Sequence, residues 1–180
     1  MSVRGREILI GVTGGIAAYK TATLVSRLVQ AGAGVSVVMT ESASQLVGPR
    51  TFLALTGRHV RVSMFEASDP FPHLEPAGKA ELFCIAPATA NILAKAASGI
   101  ADDLVSTLIM AFSGPVLFAP AMNGVMWKQP ALQRNIRILA EDGHFLIGPE
   151  SGHLACGDTD IGRMAEPELI FEKIVEMLKR

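Results

Sequence analysis

Apolar residues fall into two kinds of run along this chain, and the two kinds alternate. Short, continuous apolar runs at residues 7–12, 35–39, 81–86, 116–119 and 145–147 predict buried strands. Between them, apolar positions recur at helical spacing. Residues 16–31 put Leu24, Val25, Leu28 and Val29 on one face. Residues 41–46, 51–55, 90–97, 102–112, 130–141 and 168–178 also predict helices, with Pro130 at a helix start. Residues 59–64 form a further short strand candidate. Strands apolar on both faces, alternating with helices, indicate a parallel sheet covered on both sides. The predicted fold class is therefore α/β: a doubly wound parallel sheet, Rossmann-like (flavodoxin-like), in a three-layer sandwich forming one domain over 1–180.

In such sheets ligands sit beyond the carboxyl ends of the strands. That rule selects four loops: 13–15, 40–42, 87–91 and 120–123. Gly14-Gly15 suits close approach of an anion to a helix start, and equally suits a plain tight turn. The G-x-G-x-x-G fingerprint is absent, and a P-loop match from Gly14 to Thr21 fails because Tyr19 stands where glycine is needed. Lys20 is then expected inside the helix, away from a phosphate. Thr40-Glu41-Ser42 offers an acid for a ribose, or two hydroxyls for a phosphate, with helix capping as a third use of Ser42. Pro87-Ala88-Thr89-Ala90-Asn91 repeats the theme of small and polar residues before a helix. Three such loops fit one phosphorylated mononucleotide better than a dinucleotide. Two long stretches, 66–79 and 148–167, carry no clear periodicity and are expected as irregular functional loops.

Composition narrows the class further. The chain has 180 residues, within the roughly 100–200 of one domain. Sixteen Lys and Arg against seventeen Asp and Glu give a net charge of -1, which argues against nucleic-acid binding. Apolar residues make up 49%, so disorder is excluded. Charged residues make up 18%, below the roughly 25% of an ordinary soluble domain, which suggests surface buried against copies of the same chain. No apolar run approaches the roughly 18 residues of a membrane span, and Glu7 interrupts what would be a signal peptide's basic region. Two cysteines without a CxxC motif point to a reducing cytoplasm.

Reactive side chains gather in the two long loops. His73 has the intrinsic pKa of a base, although a single loop histidine is as a rule only a solvated polar residue. Cys156, next to Gly157, is an accessible thiol and a proton donor at neutral pH, whereas Cys84 sits mid-strand as core. His153 and Cys156 lack the further ligands a metal site needs, so no metal is expected. Asn123, in Pro120-Ala121-Met122-Asn123, presents an amide at the ligand edge of the sheet.

These motifs closely resemble the homo-oligomeric flavin-containing cysteine decarboxylases, in particular the phosphopantothenoylcysteine-decarboxylating branch. The resemblance runs from Ile8 to about the last helix. It is carried by Thr13-Gly14-Gly15-Ile16-Ala17, by Ala86-Pro87-Ala88-Thr89-Ala90-Asn91, by Pro120 to Trp127, and by Leu154-Ala155-Cys156-Gly157 with Gly162-Arg163-Met164-Ala165-Glu166-Pro167. It implies FMN held near Gly14, Gly15, Ile16, Thr40, Ser42, Thr89, Ala90, Asn91, Ile92 and Ala121. It implies His73 as the base, Asn123 on the substrate carboxylate, Leu154 and Ala155 touching substrate, and Cys156 returning a proton. The run after His73, Leu74-Glu75-Pro76-Ala77-Gly78, departs from the family pattern and is expected to reshape its loop.

The implied reaction, in coenzyme A biosynthesis, converts 4'-phosphopantothenoyl-cysteine to 4'-phosphopantetheine. Oxidation at the carbon bearing sulfur makes a thioaldehyde, CO2 leaves, and the ene-thiolate is reduced again. A homo-trimer or dodecamer, with the flavin at a subunit boundary, is implied as well. Because the sequence ends at Arg180 after one helix, no synthase domain is expected in it, which leaves a separate synthase as a candidate partner. Other outcomes for the same fold are a peptidyl-cysteine decarboxylase, which stops at the ene-thiol, a flavin prenyltransferase, and a non-catalytic flavin-binding regulator. Cys156 together with Asn123 favours the reaction in coenzyme A biosynthesis over these.

Overall fold

Five of the apolar runs pair side by side; four are largely buried because helices cover both faces, and the last, at 145–146, is half-buried at the sheet edge. In the computed structural model, which describes residues 3–65, 74–153, 157 and 159–179, the strands are β1 (Glu7–Val12), β2 (Gly34–Met39), β3 (Leu82–Ala88), β4 (Val116–Pro120) and β5 (Phe145–Leu146). They form one parallel sheet in the order β2-β1-β3-β4-β5. The strand order reverses between β1 and β3, the switch point at which doubly wound sheets open a crevice.

Alternation along the strands sends neighbours to opposite faces. Ile8 and Ile10 join Cys84 and Leu117 on one face, under α1 (Ala18–Gln30), α3 (Pro49–Thr56) and α9 (Pro167–Met177). Leu24, Leu28, Phe52, Ile170 and Ile174 complete that core. Leu9, Phe83, Ile85 and Phe118 face the other way, against α5 (Ala90–Ser98), α6 (Leu104–Ala111) and α8 (Pro130–Glu141). Each fully buried aliphatic or aromatic side chain here is worth about 1.5–3 kcal/mol over exposure. Phe83 and Phe112 add an edge-to-face pair at 5.8 Å between ring centroids.

Three short helices complete the set: α2 (Glu41–Ser44), α4 (Leu74–Lys79) and α7 (Gly124–Trp127). α4 occupies the segment where the run after His73 departs from the family pattern.

Three sequence expectations are corrected. The end of the stretch 66–79, expected to be irregular, is the helix α4. Residues 59–64 do not form a strand: they make a single parallel bridge, Arg61 opposite Val38, and then leave the sheet. Residues 148–167 are not irregular throughout, since β6 (Glu150–His153) and β7 (Thr159–Arg163) pair as an antiparallel hairpin. Its strands are short and half exposed. They are held from outside by the Met122 N–H, which donates to the Gly162 carbonyl at 2.9 Å. Gly162 has φ +146, and a Cβ there would overlap the Met122 carbonyl, so glycine alone fits. No helix among the described residues is long and apolar enough to cross a membrane.

Candidate active site

The loops at the carboxyl ends of β1, β2, β3 and β4 enclose one cavity of about 940 Å³. All ten positions expected to hold a cofactor line it: Gly14, Gly15 and Ile16 after β1, Thr40 and Ser42 after β2, Thr89, Ala90, Asn91 and Ile92 after β3, and Ala121 after β4.

Each loop gets its shape from a local bond. Thr13, buried, donates its hydroxyl to the Pro87 carbonyl at 2.7 Å and accepts from the Thr89 N–H at 3.2 Å, locking the first loop to the third. Thr40 caps α2, its hydroxyl oxygen accepting from the Ala43 N–H at 3.2 Å. Thr89 caps α5 in the same way through the Ile92 N–H at 3.4 Å. Thr40, not Ser42, is thus the cap, and Ser42 in the first turn of α2 keeps its hydroxyl at the cavity edge.

The start of α1 differs. Its N-cap is Ala17, with no side-chain cap; the Ala18 and Lys20 N–H groups turn back to the Gly15 and Ala17 carbonyls, each at 2.9 Å. Gly14 makes room there. A Cβ on Gly14 would lie 2.5 Å from Ser42 Cβ, and one on Gly15 would lie 3.3 Å from Pro87 Cγ. Bare backbone between two hydroxyl-bearing loops leaves room that a phosphate could fill. The adjoining walls, from Ile16, Ile92, Ala121 and Met122, are apolar enough for a flat ring.

Asn123 also lines the cavity, and its orientation is fixed. Its Oδ1 accepts from the Met126 N–H at 2.8 Å as the cap of α7. With the carbonyl oxygen used this way, the amide NH2 is the group left to meet an incoming carboxylate. His73, Leu154, Ala155 and Cys156 lie outside the described residues. The neighbouring His153 lines the cavity at the end of β6.

Lys20 lies within α1, as expected, yet it borders the cavity rather than standing away from it. Its Nζ pairs with Glu166 at 3.0 Å. Glu41, the alternative ribose acid, lines the cavity too. Cys84 is fully buried, away from the cavity, and burial pushes its thiol up to about 12. Asp160, on β7, holds Lys128 at 2.7 Å. That pairing, with the Ile161 N–H, keeps its carboxyl below the usual range. Among the described residues no group of three metal-ligating side chains comes together.

Sequence reasoning missed two parts of the wall. Val62, Ser63, Met64 and Phe65 line it because the bridge at Arg61 delivers the chain to the carboxyl edge of β2. The signal was present, since the strand-end rule extended to the run 59–64 selects the residues after it. Lys95, with Asp102 and Asp103, forms the other part. Its ammonium lies 2.6 Å from Asp102 and 2.7 Å from Asp103. Burial works to lower the Lys95 pKa, but these two acids outweigh it and leave it raised. Only the α5–α6 packing reveals this cluster.

Comparison with known proteins agrees with this architecture. The chain is 48% identical over 172 residues to the coenzyme A biosynthesis bifunctional protein CoaBC of Bacillus subtilis (strain 168), covering 94% of this chain and 42% of that protein. It is 44% identical over 177 residues to the CoaBC protein of Escherichia coli (strain K12), covering 97% of this chain and 44% of that one. The chain thus spans less than half the length of these curated relatives. Among solved structures, a PPC decarboxylase cysteine-to-serine mutant complexed with pantothenoylaminoethenethiol superposes with a TM-score of 0.86 at 31% identity, covering 98% of this chain and 100% of that one. The FMN binding protein AtHal3 superposes with a TM-score of 0.82 at 32% identity, covering 98% of each chain. The Flavoprotein family model matches residues 2–179. On that match, which spans nearly all of its residues, the chain belongs to the Flavoprotein family.

Proposed function

We propose that residues 1–180 form one FMN-dependent decarboxylase domain that converts 4'-phosphopantothenoyl-cysteine to 4'-phosphopantetheine in coenzyme A biosynthesis. The observation that carries this reading is the single cavity lined by all ten expected cofactor positions and by Asn123. The full-length match to a solved PPC decarboxylase supports the same reading.

The residues present fit the cofactor. Gly14, Gly15, Ser42 and the uncapped start of α1 would hold its phosphate, and Ile16, Ile92 and Ala121 would flank its ring. When bound, the flavin supplies a two-electron sink and source at the carbon bearing sulfur, which creates the electron acceptor that carboxylate loss requires. The chain's own residues orient and protonate. The Asn123 amide donates to the substrate carboxylate while its oxygen stays on the α7 cap. His73 takes the proton that leaves with oxidation, and Cys156 returns one to the ene-thiolate carbon. Leu154 and Ala155 contact the substrate beside it.

We assign the active form to a homo-trimer, alone or within a dodecamer, working in the cytoplasm. Ile16, Tyr19, Phe65 and Met126 are exposed at the mouth of the cavity, as expected of apolar surface that a second copy covers. The ligase step that supplies the substrate is assigned to a separate synthase activity, outside residues 1–180.

The test is a visible spectrum of the purified chain, then anaerobic addition of 4'-phosphopantothenoyl-cysteine with CO2 and product measured. The expected result is a yellow protein that releases CO2 and forms 4'-phosphopantetheine. A yellow protein inert toward this substrate supports the regulatory alternative. One that acts only on C-terminal cysteine peptides and stops at the ene-thiol supports the peptidyl-cysteine alternative. A colourless chain that takes up no FMN overturns the reading.

A further inference from the structure

Two walls of the cavity come from parts of the chain with no common strand. One is the start of α1. The other is the β6–β7 hairpin, which contributes His153, Gly162 and Arg163. A single carboxylate oxygen joins them. Oε1 of Glu166 lies 3.0 Å from Lys20 Nζ on α1 and 2.9 Å from Arg163 Nη2 on β7. The same Arg163 nitrogen reaches Glu150 Oε2 on β6 at 3.3 Å, so both strands of the hairpin are tied into one charge chain. Glu166 itself cannot drift. It is the N-cap residue of α9, between buried Ala165 and buried Pro167, and its carbonyl accepts from the Ile170 N–H. α9 in turn is pinned to α1 one helical face further along, where Arg27 pairs with Glu168 at 2.5 Å.

The hairpin has little else to hold it. Its strands bury few side chains, and among the described residues its other bonds to the rest of the protein are the Met122–Gly162 hydrogen bond and the Lys128–Asp160 pair. Partly exposed ion pairs add little to global stability. Placement is another matter, since a displacement of about 1 Å in a reacting site costs on the order of a hundredfold in rate.

We propose that Glu166 is a positioning residue: through Lys20 and Arg163 it sets the hairpin wall of the cavity against the α1 wall. The cofactor loops after β1, β2 and β3 stand on the sheet and do not depend on this clamp. The kinetic consequence rests on the decarboxylase reading above; the mechanical one does not.

The experiment compares the FMN-loaded chain with its Glu166→Gln and Lys20→Met variants. Amide hydrogen exchange across β6 and β7, flavin content, melting temperature and steady-state kinetics are measured. Either variant is expected to speed hairpin exchange about tenfold or more, with flavin content and melting temperature close to the parent. kcat/KM for 4'-phosphopantothenoyl-cysteine is expected to fall about ten- to a hundredfold. Hairpin exchange equal to the parent in both variants overturns the proposal. So does faster exchange spread over the whole chain with loss of flavin, which marks a general folding role. A parent chain that binds no FMN or does not decarboxylate refutes the functional reading instead, and the exchange comparison between parent and variants still decides the clamp.

Discussion

The hydroxyl of Thr13 donates to the carbonyl of Pro87 across the switch point of the sheet, at 2.7 Å and out of contact with water. The same oxygen accepts from the Thr89 N–H, so one side chain satisfies two backbone groups of the neighbouring loop. Thr13→Val keeps the shape and removes both partners. The expected cost is about 1–3 kcal/mol, the penalty for leaving buried polar groups unpaired. Chemical denaturation measures it. Thr13→Ser is expected to recover most of the loss, and equal stability for Val and Ser would refute the assignment.

Gly14 tests the proposed phosphate site separately from the fold. A Cβ there meets Ser42 Cβ at 2.5 Å, so Gly14→Ala must spread the first two loops. Overpacking of this kind costs about 1–3 kcal/mol. Most of it is expected to appear as FMN affinity weakened about tenfold or more, with an unchanged circular dichroism spectrum. Titration of apoprotein with FMN checks this.

Asn123→Asp separates capping from substrate binding. Aspartate is as good an N-cap as asparagine, so α7 should persist. In the proposed substrate site the amide NH2 would give way to a carboxylate oxygen facing the substrate's own carboxylate, and like charges there cost several kcal/mol. The expected outcome is normal flavin content and a kcat/KM at least about a hundredfold lower. Unchanged kinetics would remove Asn123 from the substrate site.

At the opposite edge of the sheet, Arg58 donates to both carboxylate oxygens of Glu7, at 2.5 and 3.0 Å. These hydrogen bonds hold the Glu7 carboxyl below its usual range. A carboxyl depressed by folding adds stability above its unfolded pKa of about 4.3, and gives it up as the pH falls through the lower folded value. Glu7→Gln is therefore expected to be less stable than the parent at neutral pH, with the gap closing on acidification. Denaturation midpoints at neutral and strongly acidic pH measure it, and a gap independent of pH would contradict the assignment.

The strands of the sheet were legible because a parallel strand buried on both faces needs an unbroken apolar run, and residues 7–12 and 116–119 are such runs. The hairpin was not. Glu150, Ser151, Gly152 and His153 carry no alternating apolar pattern, because that strand is held by its neighbours rather than by side chains of its own in the core. Residues 59–64 misled in the opposite sense. Val60 and Val62 look like a strand, but only Arg61 meets β2 before the chain turns to line the cavity.

Local chemistry, then, was written in the linear order of residues: where strands end, which loops carry glycine or a hydroxyl, and that Asn123 stands at a strand's carboxyl edge. Long-range electrostatics was not. Lys20 and Glu166, separated by 146 residues, become partners only when α1 and α9 pack together. Apolar periodicity reports on a residue's immediate neighbours along the chain. Which charges meet depends on how whole elements are stacked, and that is decided by the two cores on either side of the sheet.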